Sequence, residues 1–87
     1  MRSSGKTPNN RVLVVDDEED VLDFVKIYLQ SIGWEVSTVD SAGSALDELQ
    51  NNDYFLVLTD IAMPDMDGYE FVTAMRGKNI PSQVLLM

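Results

Sequence analysis

The 87-residue sequence predicts an α/β fold built on a doubly wound parallel sheet. Three observations predict it. Residues 11–16, RVLVVD, and residues 54–60, YFLVLTD, are continuous apolar runs closed by acids, the composition of strands buried on both faces. Segments of helical period stand between the strands. The order βαβαβαβ then calls for right-handed crossovers, which return each strand parallel to the last.

The elements follow in order. Residues 1–10, MRSSGKTPNN, are polar and small, and are expected to form a flexible leader outside the core. Residues 11–16 give the first strand. A helix is expected over residues 19–32, with Val21, Val25, Tyr28, Leu29 and Ile32 on one face, acids in its first turn and Gly33 as its stop. Residues 34–40, WEVSTVD, alternate apolar and polar, which suits a half-exposed edge strand. Asp40 or Ser41 can cap the second helix, whose buried stripe is Ala42, Ala45, Leu46 and Leu49. Residues 54–60 give the third strand. A short helix over residues 69–76 turns Phe71, Val72 and Met75 inward and ends at Gly77. Residues 80–82 are a turn, and residues 83–87, QVLLM, begin a fourth strand.

The all-apolar strands belong in the centre and the alternating one at the edge. That is the flavodoxin-like strand order 2-1-3-4 of an incomplete doubly wound sheet. In such sheets ligands bind beyond the carboxyl ends of the strands, at the switch point between strands 1 and 3. Asp16 and Asp17 close the first strand and Asp60 closes the third.

Composition narrows the chemistry. A hydrophobic content of 45% indicates a globular chain of one domain, residues 11–87. The formal charge of −9 argues against direct nucleic-acid contact, which needs clustered Lys and Arg. With neither cysteine nor histidine there is no disulfide, thiolate or imidazole metal site. No apolar run is long enough to span a membrane and no secretory signal opens the chain, so a cytoplasmic protein is expected. Three carboxylates at one crevice repel each other unless a hard cation cancels them, and Mg2+ favours a few carboxylates plus waters. A carboxylate beside Mg2+ can attack a phosphoryl group and form an aspartyl phosphate. Pro64 and Asp67-Gly68 are by themselves ordinary turn residues. A calcium-loop reading of DMDG fails, because it puts Met63 and Ala74 where the loop needs acids. A phosphatase with an aspartyl nucleophile would carry a second acid where Ala62 stands.

Taken together, VLVVDDEEDV and LTDIAMPDMDG resemble the receiver domain of two-component response regulators, over residues 11–87. The resemblance implies that Asp60 is the phosphoacceptor and that Asp17 and Asp60 bind Mg2+ directly. It implies the backbone carbonyl of Ala62 as a third ligand, with Asp16 acting through a metal-bound water. Met63 and Pro64 would shape the loop, Gly68 would permit its turn, and Asp65 and Asp67 would be solvated turn acids. The phosphodonor would be a histidine kinase, a phosphotransfer protein or a small acyl phosphate. The module would signal rather than act as an enzyme.

The sequence also departs from the family. Receivers carry five βα units, with a Ser or Thr ending strand 4 and a Lys ending strand 5, and these 87 residues reach neither. Phosphorylation is therefore expected to be impaired in this chain, and the fourth strand is expected to pair with a second copy in a homodimer or oligomer. The competing expectation is an interaction module that keeps the fold without the phosphorylation switch.

Overall fold

The computed structural model describes residues 10–87. The expected leader lies outside the described residues except for Asn10. The elements are β1 (Arg11–Val15), α1 (Glu19–Ser31), β2 (Glu35–Val39), α2 (Ala42–Asn51), β3 (Leu56–Thr59), α3 (Gly68–Gly77) and β4 (Gln83–Leu86). All strand pairs are parallel and the order is β2-β1-β3-β4, as the sequence predicts. Val15 pairs with Val39 on one side and with Thr59 on the other, and Thr59 pairs with Leu86. The carboxyl ends of the four strands are therefore level.

Pleating sends alternate residues of β1 to opposite faces. Leu13 and Val15 pack with Val57 against the stripe Ala42, Ala45, Leu46 and Leu49 of α2 and against Phe71 and Met75 of α3. Val12 and Val14 pack against Leu22 of α1, with Val25, Leu29, Trp34 and Val36 around them. Every residue from Val12 to Val15 is fully buried. The same expectation fails for one face of β3. Val57 and Thr59 are buried, whereas Leu56 and Leu58 are half-buried. Among the described residues that face meets α1 and Trp34, and α1 packs mainly over β1 and β2.

The stripe expected on α1 is also corrected. Leu22 is the buried residue, and Val25 and Leu29 are half-buried, while Tyr28 is 57% and Ile32 58% exposed. The docked face runs 22, 25, 29, a rotation away from the one expected. Gly33, at φ +103°, ends the turn after α1 in a conformation that residues with a Cβ rarely adopt. Ser41 rather than Asp40 caps α2, its side chain accepting from the Ser44 amide. On α3, Phe71 and Met75 are buried and Val72 is half-buried, as expected from its spacing.

The lower end of the sheet is tied by polar contacts. β3 is shorter than expected because residues 54 and 55 run into it without pairing as strand. Tyr54 is buried there, with the Arg11 guanidinium 4.6 Å over its ring and its hydroxyl donating to Glu48 Oε2 at 2.6 Å. The Ser82 hydroxyl donates to the Tyr54 carbonyl at 2.6 Å, and Arg76 Nη1 donates to the carbonyls of Ile80 and Ser82. These bonds fix the approach to β4.

Candidate functional site

The register of β1 and β3 builds the site. Val15 and Thr59 are partners, so the next residues, Asp16 and Asp60, leave neighbouring strands side by side. The Asp60 amide donates to the Val15 carbonyl at 3.1 Å, and the Asp16 amide donates to the Val39 carbonyl at 3.3 Å. Each acid is thus fixed by one more bond beyond its strand. Carboxylate oxygens of Asp16, Asp17 and Asp60 lie within 4.8 Å of one another, with Asp16 buried, Asp17 exposed and Asp60 half-buried. Asp16 Oδ1 also accepts the Glu18 amide at 2.9 Å, turning the chain into α1. Glu19 and Asp20 stand in the first turn of that helix, where its positive end favours acids.

The loop after β3 is anchored along its length. Asp60 Oδ1 accepts the Ala62 amide at 3.2 Å, which orients the carboxylate. Met63 is buried in the core beside α2 and α3. The Gly68 amide donates to the Ile61 carbonyl at 2.7 Å and closes the loop. Two acids of this loop do more than the sequence suggested. Asp65 accepts the amides of Ala42 and Gly43, at 3.3 and 3.0 Å, from the first turn of α2. Asp67 forms a capping box with Glu70: its side chain accepts the Glu70 amide at 2.8 Å, and Glu70 Oε1 accepts the Asp67 amide at 3.1 Å. The expectation that both are merely solvated turn acids is corrected. The capping box was readable as D-x-x-E. The Asp65 contact spans 22 and 23 residues and leaves no local signal.

Chemically, three carboxylates with oxygen donors only suit a hard divalent cation, which would offset their mutual repulsion. Among the described residues, Asp16, Asp17 and Asp60 form a group that could hold one.

The family model for the response regulator receiver domain matches residues 12–87. The chain belongs to this family. Receivers are signalling modules of two-component systems rather than conventional enzymes. Among curated proteins, the response regulator SaeR of Staphylococcus aureus is 35% identical over 69 residues. The match covers 79% of this chain and 30% of that protein, so the chain spans under a third of its curated relatives' length. Solved receivers superpose closely. The TrrA response regulator of Thermotoga maritima in complex with Mg(2+)-BeF has a TM-score of 0.82 at 35% identity, covering 88% of this chain and 67% of that one. The chemotaxis protein CheY4 of Vibrio cholerae has a TM-score of 0.84 at 32% identity, covering 91% and 68%. TrrA has also been solved in complex with the histidine kinase ThkA, where it matches at a TM-score of 0.82 and 35% identity, covering 88% of this chain and 66% of that one. Among the described residues no helix is long and apolar enough to cross a membrane.

Proposed function

We propose that Asp60 of this receiver is the phosphoacceptor, with Mg2+ held by Asp17, Asp60 and the Ala62 backbone carbonyl, and with Asp16 contacting it through water. One observation carries the reading: the acids ending β1 and β3 converge to within 4.8 Å at the carboxyl edge of the sheet. A bound Mg2+ would offset charge on the acids and on the transferred phosphoryl oxygens. The protein's own part is orientation. The Ala62 amide on Oδ1 holds the Asp60 carboxylate, and its oxygen attacks phosphorus in line. A P–O bond to Asp60 forms while the P–N bond of a phosphohistidine, or the P–O bond of an acyl phosphate, breaks. The electron pair leaves with the imidazole or the carboxylate. A histidine kinase or phosphotransfer protein is the donor, as the complex of TrrA with ThkA supports.

Residues 11–87 form the receiver, acting in the cytoplasm without direct nucleic-acid contact. The 87-residue chain associates through β4, which lies at the sheet edge among the described residues with Gln83 and Leu85 exposed. A monodisperse monomer by light scattering at micromolar concentration overturns that part.

The central test is acetyl phosphate with Mg2+, read by intact mass. One added phosphoryl group on a fraction of the chains, absent in Asp60→Asn, is expected, since acceptance by this chain is expected to be impaired. An unchanged mass in the native chain overturns the reading and favours an unphosphorylated interaction module.

A further inference from the structure

The start of α2 is satisfied by a residue from another loop. A helix leaves its first amides without internal acceptors. Here Ser41 Oγ accepts the Ser44 amide at 3.1 Å, while Asp65 Oδ1 and Oδ2 take the amides of Ala42 and Gly43. The two Asp65 bonds join a carboxylate to the positive end of a helix, so they are charge-assisted. Asp65 stands five residues after Asp60 and three after Ala62. The loop between β3 and α3 is therefore held at three levels: the Asp60 carboxylate by the Ala62 amide, its middle by α2, and its end by the Gly68 amide on Ile61. Beyond β3 and α3, the loop is tied by hydrogen bonds to β1 at its start, where the Asp60 amide donates to the Val15 carbonyl, and to α2 at its middle, through Asp65.

We propose that Asp65 is a positioning residue: its clasp on α2 fixes the loop that carries Asp60 and the Ala62 carbonyl, and so sets Mg2+ affinity and phosphoryl acceptance there. The proposal rests on Asp60 and Ala62 having the roles given above. Its physical content is that loop displacement moves the Ala62 amide and carbonyl together, because they flank one residue. Releasing the clasp thus disturbs both the orientation of Asp60 and a backbone oxygen beside it. The coupling is reciprocal, so filling the site also changes the surroundings of the Ala42 and Gly43 amides.

The test compares the native chain with Asp65→Asn and Asp65→Ala. Asp65 is exposed, so neither change opens a cavity. Folding is checked by circular dichroism, and Mg2+ binding is then titrated in the folded proteins. Asp65→Ala is expected to raise the Mg2+ half-saturation roughly tenfold, the low end for residues that act on a metal through its ligands. Asp65→Asn keeps one carbonyl acceptor without the charge and is expected to fall between. In the native chain, Mg2+ is expected to shift the Ala42 and Gly43 amide resonances. In Asp65→Ala that response is lost. A simple helix cap would lower the denaturation midpoint and leave the half-saturation unchanged, and that result overturns the proposal. The two failures are separable. If the native chain takes no phosphoryl group, the reading of Asp60 fails. If it does, but Asp65→Ala binds Mg2+ as tightly as the native chain, only the role of Asp65 fails.

Discussion

Gly68 stands against Ile61 so closely that a Cβ added to it would lie 3.2 Å from the Ile61 Cα and 3.1 Å from Leu86 Cδ2. The leucine methyl can move aside. The Ile61 backbone belongs to the loop after Asp60, and its carbonyl already accepts the Gly68 amide at 2.7 Å. Alanine is the better helix former and would gain up to about 1 kcal/mol at an ordinary helical position. Here the contact with backbone outweighs that gain. Gly68→Ala is expected to destabilise the fold by about 1 kcal/mol, at the low end of overpacking costs. Urea denaturation measures it, and an unchanged or raised midpoint would show that the loop yields freely.

A second expectation separates metal-free from metal-bound stability. Asp16, Asp17 and Asp60 bring like charges within 4.8 Å. Removing the exposed Asp17 charge relieves repulsion, so Asp17→Asn is expected to raise the metal-free melting temperature slightly. Mg2+ stabilises the native chain by mass action, since it binds the folded state alone. That increment should vanish in Asp17→Asn. Thermal melts with and without Mg2+ give both signs at once. A variant still stabilised by Mg2+ as strongly as the native chain would exclude Asp17 as a ligand.

The acid convergence was legible because it depends on strand order and strand ends. RVLVVD and YFLVLTD marked two buried strands, and order 2-1-3-4 made them neighbours, so Asp16, Asp17 and Asp60 had to meet. What escaped was set by orientation or distance. Tyr28 and Ile32 shared a helical spacing with Val25 and Leu29, yet α1 docks with Leu22 inward. A periodicity locates a stripe only to within the breadth of the apolar face, and α1 is apolar on several sides, with Phe24 and Ile27 also exposed. Asp65 finds its partners only once α2 and the loop lie together.

The capping box gives a third expectation. Asp67 supplies the acceptor for the Glu70 amide, and Glu70 returns one for the Asp67 amide. Asp67→Ala removes one acceptor and the box with it, at a cost of about 1 kcal/mol. Asp67→Ser retains an acceptor and is expected to recover most of the loss. Chemical denaturation of both variants decides the point. Equal destabilisation by the two would mean that the charge of Asp67, rather than its hydrogen bond, supports α3.

At alkaline pH the weak point is Tyr54. Burial raises its pKa above the ordinary 10.0, and the hydroxyl's bond to Glu48 raises it further, against smaller lowering effects of Ser37 and Arg11. The unfolded chain therefore loses this proton before the folded one does. Between the two pKa values the folded state binds more protons, so stability falls as pH rises. Its contribution is complete below about pH 10 and is lost as pH climbs through the folded-state pKa. Tyr54→Phe cannot ionise. It gives up the 2.6 Å bond to Glu48, worth about 1 kcal/mol near neutrality, while Arg11 keeps its 3.3 Å pairing with Glu35. The variant should be less stable than the native chain at pH 7 and should lose less on going to pH 11. Melting temperatures across that range test it, and parallel declines for the two proteins would place the alkaline sensitivity elsewhere.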